Sequence, residues 1–229
     1  MNIIALLPMK AHSERVPGKN IKKLADKPLF FHIADKLKKT ARFQLLAINT
    51  DSEEIASLCK ERYGSWVKII DRPAELCGDD VPMNSIIAHD VKLLGIDNDY
   101  FQTHSTNPFL SVATIIDALN QYLKEKINNT YDSVFSVNAI YSRLYSKDLK
   151  PLNHSEHILL RTQDLEVIYE ENSSFYIFSG QKFFLNNHRI GKNPNPYVME
   201  RNSFETIDID NYSDWYFSEM IIKNSEINE

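Results

Sequence analysis

The chain has 229 residues, 43% of them apolar and 25% charged, with a formal net charge of −5. That is long enough for one globular domain that buries about 70% of its unfolded surface, and the acidic balance argues against a broad nucleic-acid face. No apolar run approaches the roughly 18 residues of a spanning helix. No signal peptide, membrane partner or nucleic acid is expected, and Cys59 and Cys77 form neither a disulfide framework nor a metal knuckle, so a cytoplasmic protein is expected.

The elements alternate. Asn2 to Pro8 reads as a buried strand. Leu29, Phe30, Ile33, Ala34, Leu37 and Ala41 recur at helical spacing after Pro28, which suits a first turn. "QLLAINT" is a second strand, and "DSEEIASLCKERYG" a helix capped by Asp51 or Ser52 and stopped by Gly64. "WVKII" follows as a strand, Met83 to Leu94 as a helix, "DYFQTH" as a strand, a helix from Ser111 to about Lys126, and the strand "DSVFSV". Residues 139–171 break the rhythm, polar and rich in tyrosine, and read as an inserted arm. The pattern resumes with "SFYIFSG" and "ETIDID" and closes on a helix through Trp215, Tyr216 and Met220. Such alternation predicts a single α/β domain over residues 1–229, with a mostly parallel sheet and helices on both faces.

Ligands of open α/β sheets bind beyond the C-terminal strand ends, where the loop "LLPMKAHSERVPGKN" leaves the first strand. Lys10, Arg15 and Lys19 carry charge, Ser13 and backbone N–H groups donate, and Gly18 allows close approach. This chemistry suits a polyphosphate, or else describes a solvated basic turn; neither a Walker A loop nor a dinucleotide fingerprint is present. In "ETIDID", Asp208 and Asp210 share a face if the segment is a strand, with Ile207 and Ile209 turned to the core. Paired carboxylates suit Mg²⁺ with substrate phosphates; the alternative is an edge strand with a polar outer face. His12 reads first as a solvated loop histidine.

Together these stretches resemble the acylneuraminate cytidylyltransferase family, the CMP-sialic acid synthetases and their relatives. "SERVPGKN" is similar to the second half of that family's opening signature. "NTDSEEIA", "DRPAELCGDD", "HSTNPFLS", "RTQDLEVIYEENSSFYIF" and "ETIDIDNYSDW" follow in the family's order. The resemblance implies a Rossmann-like nucleotidyltransferase fold and transfer of CMP from CTP to an acidic keto sugar, with Mg²⁺ and release of pyrophosphate. It also implies a homodimer joined by the arm, in which Arg143 and Tyr145 lie.

Carried over, the resemblance places Lys10, Ser13, Arg15, Lys19, Asn20, Arg72, Val81, Pro82 and Met83 at CTP, and His104, Gln163 and Asn172 at the sugar acid. It makes Asp208 and Asp210 metal ligands and gives them, with Lys19, the catalytic role. The sequence departs at Lys10, Glu14, His104, Ser173 and Ser174, where relatives have arginine, lysine, glutamine and a small Asn-Gly neighbourhood. These departures leave open a different acidic acceptor, or a catalytically silent nucleotide-binding or scaffold protein on the same fold.

Overall fold

The first strand, β1 (Ile3–Leu6), is buried along its whole length because it runs through the interior of a seven-stranded sheet. This computed structural model describes residues 2–128, 130–200 and 203–226. After β1 come the short pair β2 (Lys23–Leu24) and β3 (Lys27–Pro28), α1 (Leu29–Lys39), β4 (Leu45–Thr50), α2 (Glu53–Tyr63) and β5 (Val67–Asp71). Then follow α3 (Met83–Leu94), β6 (Asp99–Thr103), α4 (Val112–Asn128), β7 (Ser133–Ile140) and β8 (Ile168–Ser179). The chain closes through α5 (Gly180–Asn186), β9 (Pro194–Met199) and α6 (Tyr212–Glu226).

The sheet order is β5-β4-β1-β6-β8-β7-β9. Strand β8 runs antiparallel to its neighbours β6 and β7, while the other adjacent pairs are parallel. The expected mostly parallel sheet is therefore what forms. Alternate residues of β1 serve two cores: Ile3 and Ala5 join Phe30, Ile33, Leu37, Phe101 and Leu119 on one face. Ile4 and Leu6 join Ile87, Val91, Tyr100 and Phe178 on the other. Helices α1, α2 and α4 thus cover one face and α3 and α5 the other, as the unbroken apolar run of a doubly covered strand requires. Helix α2 starts where Ser52 Oγ accepts from the Ile55 N–H at 3.2 Å and stops at Gly64, whose φ of 57° suits glycine.

Two expectations are corrected. The arm is shorter than residues 139–171, since Ala139 pairs with Tyr169 and Ile140 with Ile168 in the β7–β8 ladder. The segment outside the ladder is pinned by Asn153, which accepts from the Leu144 N–H at 3.0 Å and donates to Ser142 O and Glu166 O. "ETIDID" is not a sheet strand: Phe204–Thr206 forms a 3₁₀ turn and the following residues are extended without a ladder partner. Its alternation survives because Ile209 is wholly buried with Val16, Leu24, Leu29 and Trp215.

Candidate active site

Beyond β1 the chain stays in register with β4, the Met9 N–H donating to Asn49 O at 2.9 Å, and then leaves the sheet as the loop of residues 10–20. Three ties shape that loop. The Ala11 N–H donates to Asp51 Oδ1 at 2.7 Å, Asn20 Nδ2 to Lys10 O at 2.9 Å, and Ser105 Oγ to Asn20 Oδ1 at 2.6 Å. Asn20 is buried by this role. Gly18 holds φ at 63°, a left-handed conformation that glycine adopts at little cost. Val16 packs with Ile209 and Trp215, which brings the loop's base against the segment before α6.

There the charges meet. Arg15 Nη1 lies 2.9 Å from Asp210 Oδ2, and Lys19 Nζ lies 3.6 Å from Asp210 Oδ1 while donating to Ile209 O at 2.6 Å. The Asp210 and Asn211 N–H groups donate to Asp214 Oδ2 at 2.8 and 3.0 Å, and Asn211 Oδ1 accepts from the Asp214 N–H at 3.1 Å. This reciprocal capping at the start of α6 fixes the backbone that carries Asp210. The Ile209 N–H donates to Thr106 O at 2.9 Å, so the extended segment lies along the loop after β6. Asp208 keeps exposed surface, but crowding on its protein side raises its pKa, and the Asp210 charge adds to the rise against hydrogen bonding by Thr106. Burial lowers the pKa of Lys19, opposed by Asp210 and Asp208. Two carboxylates and two cations from opposite ends of the chain thus form one cluster. Among the described residues no group of three or more His, Cys, Asp or Glu gathers as for a metal. Mg²⁺ needs only one or two carboxylates when phosphates complete its shell, and the Asp208–Asp210 pair fits that demand.

The other loop residues differ in their surroundings. Lys10 is ion-paired with Asp79, and Ser13 is half-buried in the loop. Arg72 is half-buried, its Nε donating to Asn49 Oδ1 at 2.6 Å and Nη2 to Asn49 O at 3.0 Å. Asn49 in turn donates to the buried Asp90 at 2.6 Å, so Arg72 is held by a polar relay through β4 and α3. Val81 and Pro82 precede α3, and Met83 begins it.

A second cluster sits where the C-terminal end of β6 meets the middle of β8. His104 follows β6, and its Nε2 lies 3.1 Å from Gln102 Nε2. Arg189 Nη1 donates to Gln102 Oε1 at 2.7 Å, its guanidinium lies over Tyr176 at 3.6 Å, and its Nη2 is 3.8 Å from Glu171. Burial, then the charges of Arg189 and Lys19, push the His104 pKa down to about 3, which places His104 within electrostatic reach of the first cluster. Asn172 donates to Asn138 Oδ1 at 2.9 Å and accepts from the Ser174 N–H. Ser173 takes a left-handed φ of 59°, and its Oγ is 3.1 Å from the Tyr176 hydroxyl. Gln163 lies apart in the Thr162–Asp164 turn of the arm, exposed.

Sequence reasoning missed Asp79, Asn49, Asp90, Gln102, Tyr176 and Arg189. Arg189 follows α5 after Asn187, whose φ of 50° turns the chain back. Its only sequence signal is a lone arginine in the polar run "NNHRIGKN".

A positively charged loop and a carboxylate pair at the C-terminal ends of a mostly parallel sheet define a nucleotide-handling α/β protein. The chain belongs to the cytidylyltransferase family, whose sequence model matches residues 4–222. It is 30% identical over 241 residues to the CMP-N,N'-diacetyllegionaminic acid synthase of Legionella pneumophila subsp. pneumophila, covering 97% of each chain. It is 27% identical over 222 residues to the N-acylneuraminate cytidylyltransferase of Escherichia coli O18:K1:H7, covering 93% of this chain and 50% of that protein. The chain therefore spans about half the length of the E. coli relative. Among solved structures, CMP:2-keto-3-deoxy-manno-octonic acid synthetase complexed with CTP superposes with a TM-score of 0.68 at 10% identity, covering 98% of this chain and 100% of that one. Among the described residues, no helix is long and apolar enough to cross a membrane.

Proposed function

We propose that this chain transfers CMP from CTP to an acidic keto sugar of the nonulosonate class and releases pyrophosphate. The observation that carries this reading is the convergence of Arg15 and Lys19 on Asp210 beside Asp208. The names of the Legionella and E. coli relatives support the acceptor class, and the CTP complex of the structural neighbour supports the nucleotide.

In this scheme the anomeric hydroxyl of the acceptor attacks the α-phosphorus of CTP in line. The bond to the bridging oxygen breaks, pyrophosphate departs, and the hydroxyl proton passes to solvent. Lys19 and Arg15 bind the triphosphate and stabilise charge gathering on the leaving group, work that is mostly positioning and electrostatics. Asp208 and Asp210 would hold Mg²⁺, which when bound neutralises phosphate charge. His104, with its pKa near 3, is poorly suited as a general base and serves binding. Val81, Pro82 and Met83 line the cytosine side and Arg72 the nucleotide. Asn172 serves the sugar acid, and the arm pairs two copies.

The Lys10–Asp79 ion pair favours a second reading, a nucleotide-binding protein without turnover, because it commits one loop cation to a protein carboxylate. Pyrophosphate release measured for CTP, UTP, ATP and GTP, with and without Mg²⁺, against a panel of 2-keto sugar acids separates the two. Release with CTP, an acid and Mg²⁺ is expected. CTP binding without release for any acid would favour the second reading.

A further inference from the structure

We propose that Arg189 is a positioning residue which, through Gln102, fixes His104 as a neutral imidazole carrying its proton on Nδ1, an uncharged donor for the acceptor sugar. The acceptor part rests on the function proposed above; the position of the proton rests on geometry alone.

Gln102 on β6 and Tyr176 on β8 stand opposite each other in the antiparallel ladder, so their side chains share a face. Arg189 lies over the Tyr176 ring, its guanidinium carbon 3.6 Å from the ring centre, and donates to Gln102 Oε1 at 2.7 Å. A guanidinium has donors only, so the amide oxygen must face it. At its other end, Gln102 Nε2 lies 3.0 Å from Thr103 O, which only accepts. Rotating the amide by half a turn would set N–H against N–H at one end and oxygen against oxygen at the other. Both contacts favour this orientation, and the shorter, charge-assisted bond from Arg189, roughly twice as strong as a neutral one, decides it.

The second amide hydrogen is left for His104 Nε2 at 3.1 Å. A proton on that nitrogen would oppose it, so Nε2 accepts and the single proton of the neutral ring sits on Nδ1. Among the described residues Nδ1 makes no hydrogen bond to protein, which leaves it for a ligand. An imidazolium would add a third positive charge beside Arg189 and Lys19, and burial with these two charges already holds the pKa near 3. The carboxylate facing Arg189, Glu171, lies 3.8 Å away and is engaged by the Tyr176 hydroxyl. The result is an N–H donor that keeps its form across the pH range in which histidine ordinarily switches. Arginine suits the task better than lysine because its plane stacks on the ring while its edge donates.

The test is nitrogen-15 NMR of the imidazole rings from pH 5 to 8 on the wild type, Arg189→Met and Gln102→Glu, with His104→Gln assigning the signals and circular dichroism verifying each fold. Pyrophosphate release from CTP with N-acetylneuraminate or 2-keto-3-deoxy-manno-octonic acid is measured on the same proteins and on His104→Ala. In the wild type His104 should show a protonated Nδ1, a bare Nε2 and no titration. Gln102→Glu should move the proton to Nε2 and raise the pKa, because a carboxylate only accepts, and Arg189→Met should mix the two tautomers. His104→Ala should raise the acceptor KM about tenfold, as loss of a neutral hydrogen bond does, and His104→Gln should recover most of that. Arg189→Met should raise the acceptor KM and leave that of CTP unchanged. A wild-type proton on Nε2, or a wild-type tautomer retained in Arg189→Met, would overturn the positioning role. Turnover with an unchanged acceptor KM in His104→Ala would overturn the donor role. No wild-type turnover with either acid counts against the proposed function and the donor role together, while the NMR result decides the positioning role independently.

Discussion

Arg15 and Asp210 form an ion pair of 2.9 Å between the first loop and the segment that enters the last helix. Lys19 joins them from the buried side, 12% exposed against 39% for Asp210. Asp210 therefore orients two loop cations as well as offering a carboxylate to a metal. Asp210→Asn should leave the circular dichroism spectrum unchanged and lower turnover on the order of a hundredfold at saturating CTP, the scale of a lost electrostatic stabiliser. Asp208→Asn, which leaves both cation contacts in place, should be milder. Steady-state rates across Mg²⁺ concentrations check both. Near wild-type rates in Asp210→Asn would place the metal elsewhere.

Lys10 contacts Asp79, and both side chains are partly open, at 34% and 56% exposure. A pair this exposed contributes little to stability but competes with a phosphate for the lysine. Asp79→Asn should leave Tm nearly unchanged and tighten CTP about two- to fivefold, the small effect typical of exposed pairs. Titration calorimetry reads the affinity directly. Weaker binding in Asp79→Asn would show that the carboxylate supports the nucleotide.

The outline of the sheet was legible because strands such as "LLAINT" and helices such as "EEIASLCKERY" carry their own periodicity and caps. Helix α3 falls on the Met83 to Leu94 expected for it. The "ETIDID" segment misled because alternation of apolar and charged residues records which side is buried, not whether a partner strand exists; here Ile209 is buried against Trp215 and Val16 without a ladder. Strand β9, "PNPYVM", escaped notice because two prolines mask it; it sits at the sheet edge, where proline is tolerated. Within the site, Arg15, Lys19 and Asp210 stood out as charges in motifs. Arg189 and Gln102 did not, since their meaning arises only when β6, β8 and the turn after α5 come together.

The arm leaves apolar side chains open, among them Leu149 at 78%, Ile158 at 60% and Leu159 at 87% exposure. Exposed apolar side chains in one segment suit a contact surface, and a two-fold pairing is the commonest closed assembly. Light scattering should report a dimer at micromolar concentration, and the double substitution Ile158→Glu with Leu159→Glu should give a folded monomer. A monomeric wild type would exclude the arm as a pairing surface under those conditions.

Asp35 gives a stability prediction away from the site. Burial pushes its pKa up, but hydrogen bonds from Arg62, Lys27 and Tyr63 outweigh this and hold it down to about 2. Arg62 reaches it through two contacts of 2.8 Å. Because the folded-state pKa lies below the unfolded value, the unfolded chain binds more protons between the two, and stability is lost as the pH drops through that window. Urea unfolding should show Asp35 contributing about 2 kcal/mol at pH 7 relative to Asp35→Asn. The difference should shrink from about pH 5 downward and be largely lost near pH 2. A difference independent of pH would assign the effect to packing.

The most direct test of the proposed chemistry follows the oxygen that joins sugar to phosphorus. The acceptor acid, labelled with oxygen-18 at its anomeric hydroxyl, is incubated with CTP, Mg²⁺ and the protein, and the products are weighed by mass spectrometry. In-line attack by that hydroxyl on the α-phosphorus predicts a CMP-sugar that retains the label, formed in equal amounts with unlabelled pyrophosphate. Failure to form a CMP-sugar, or label found in pyrophosphate, would contradict it.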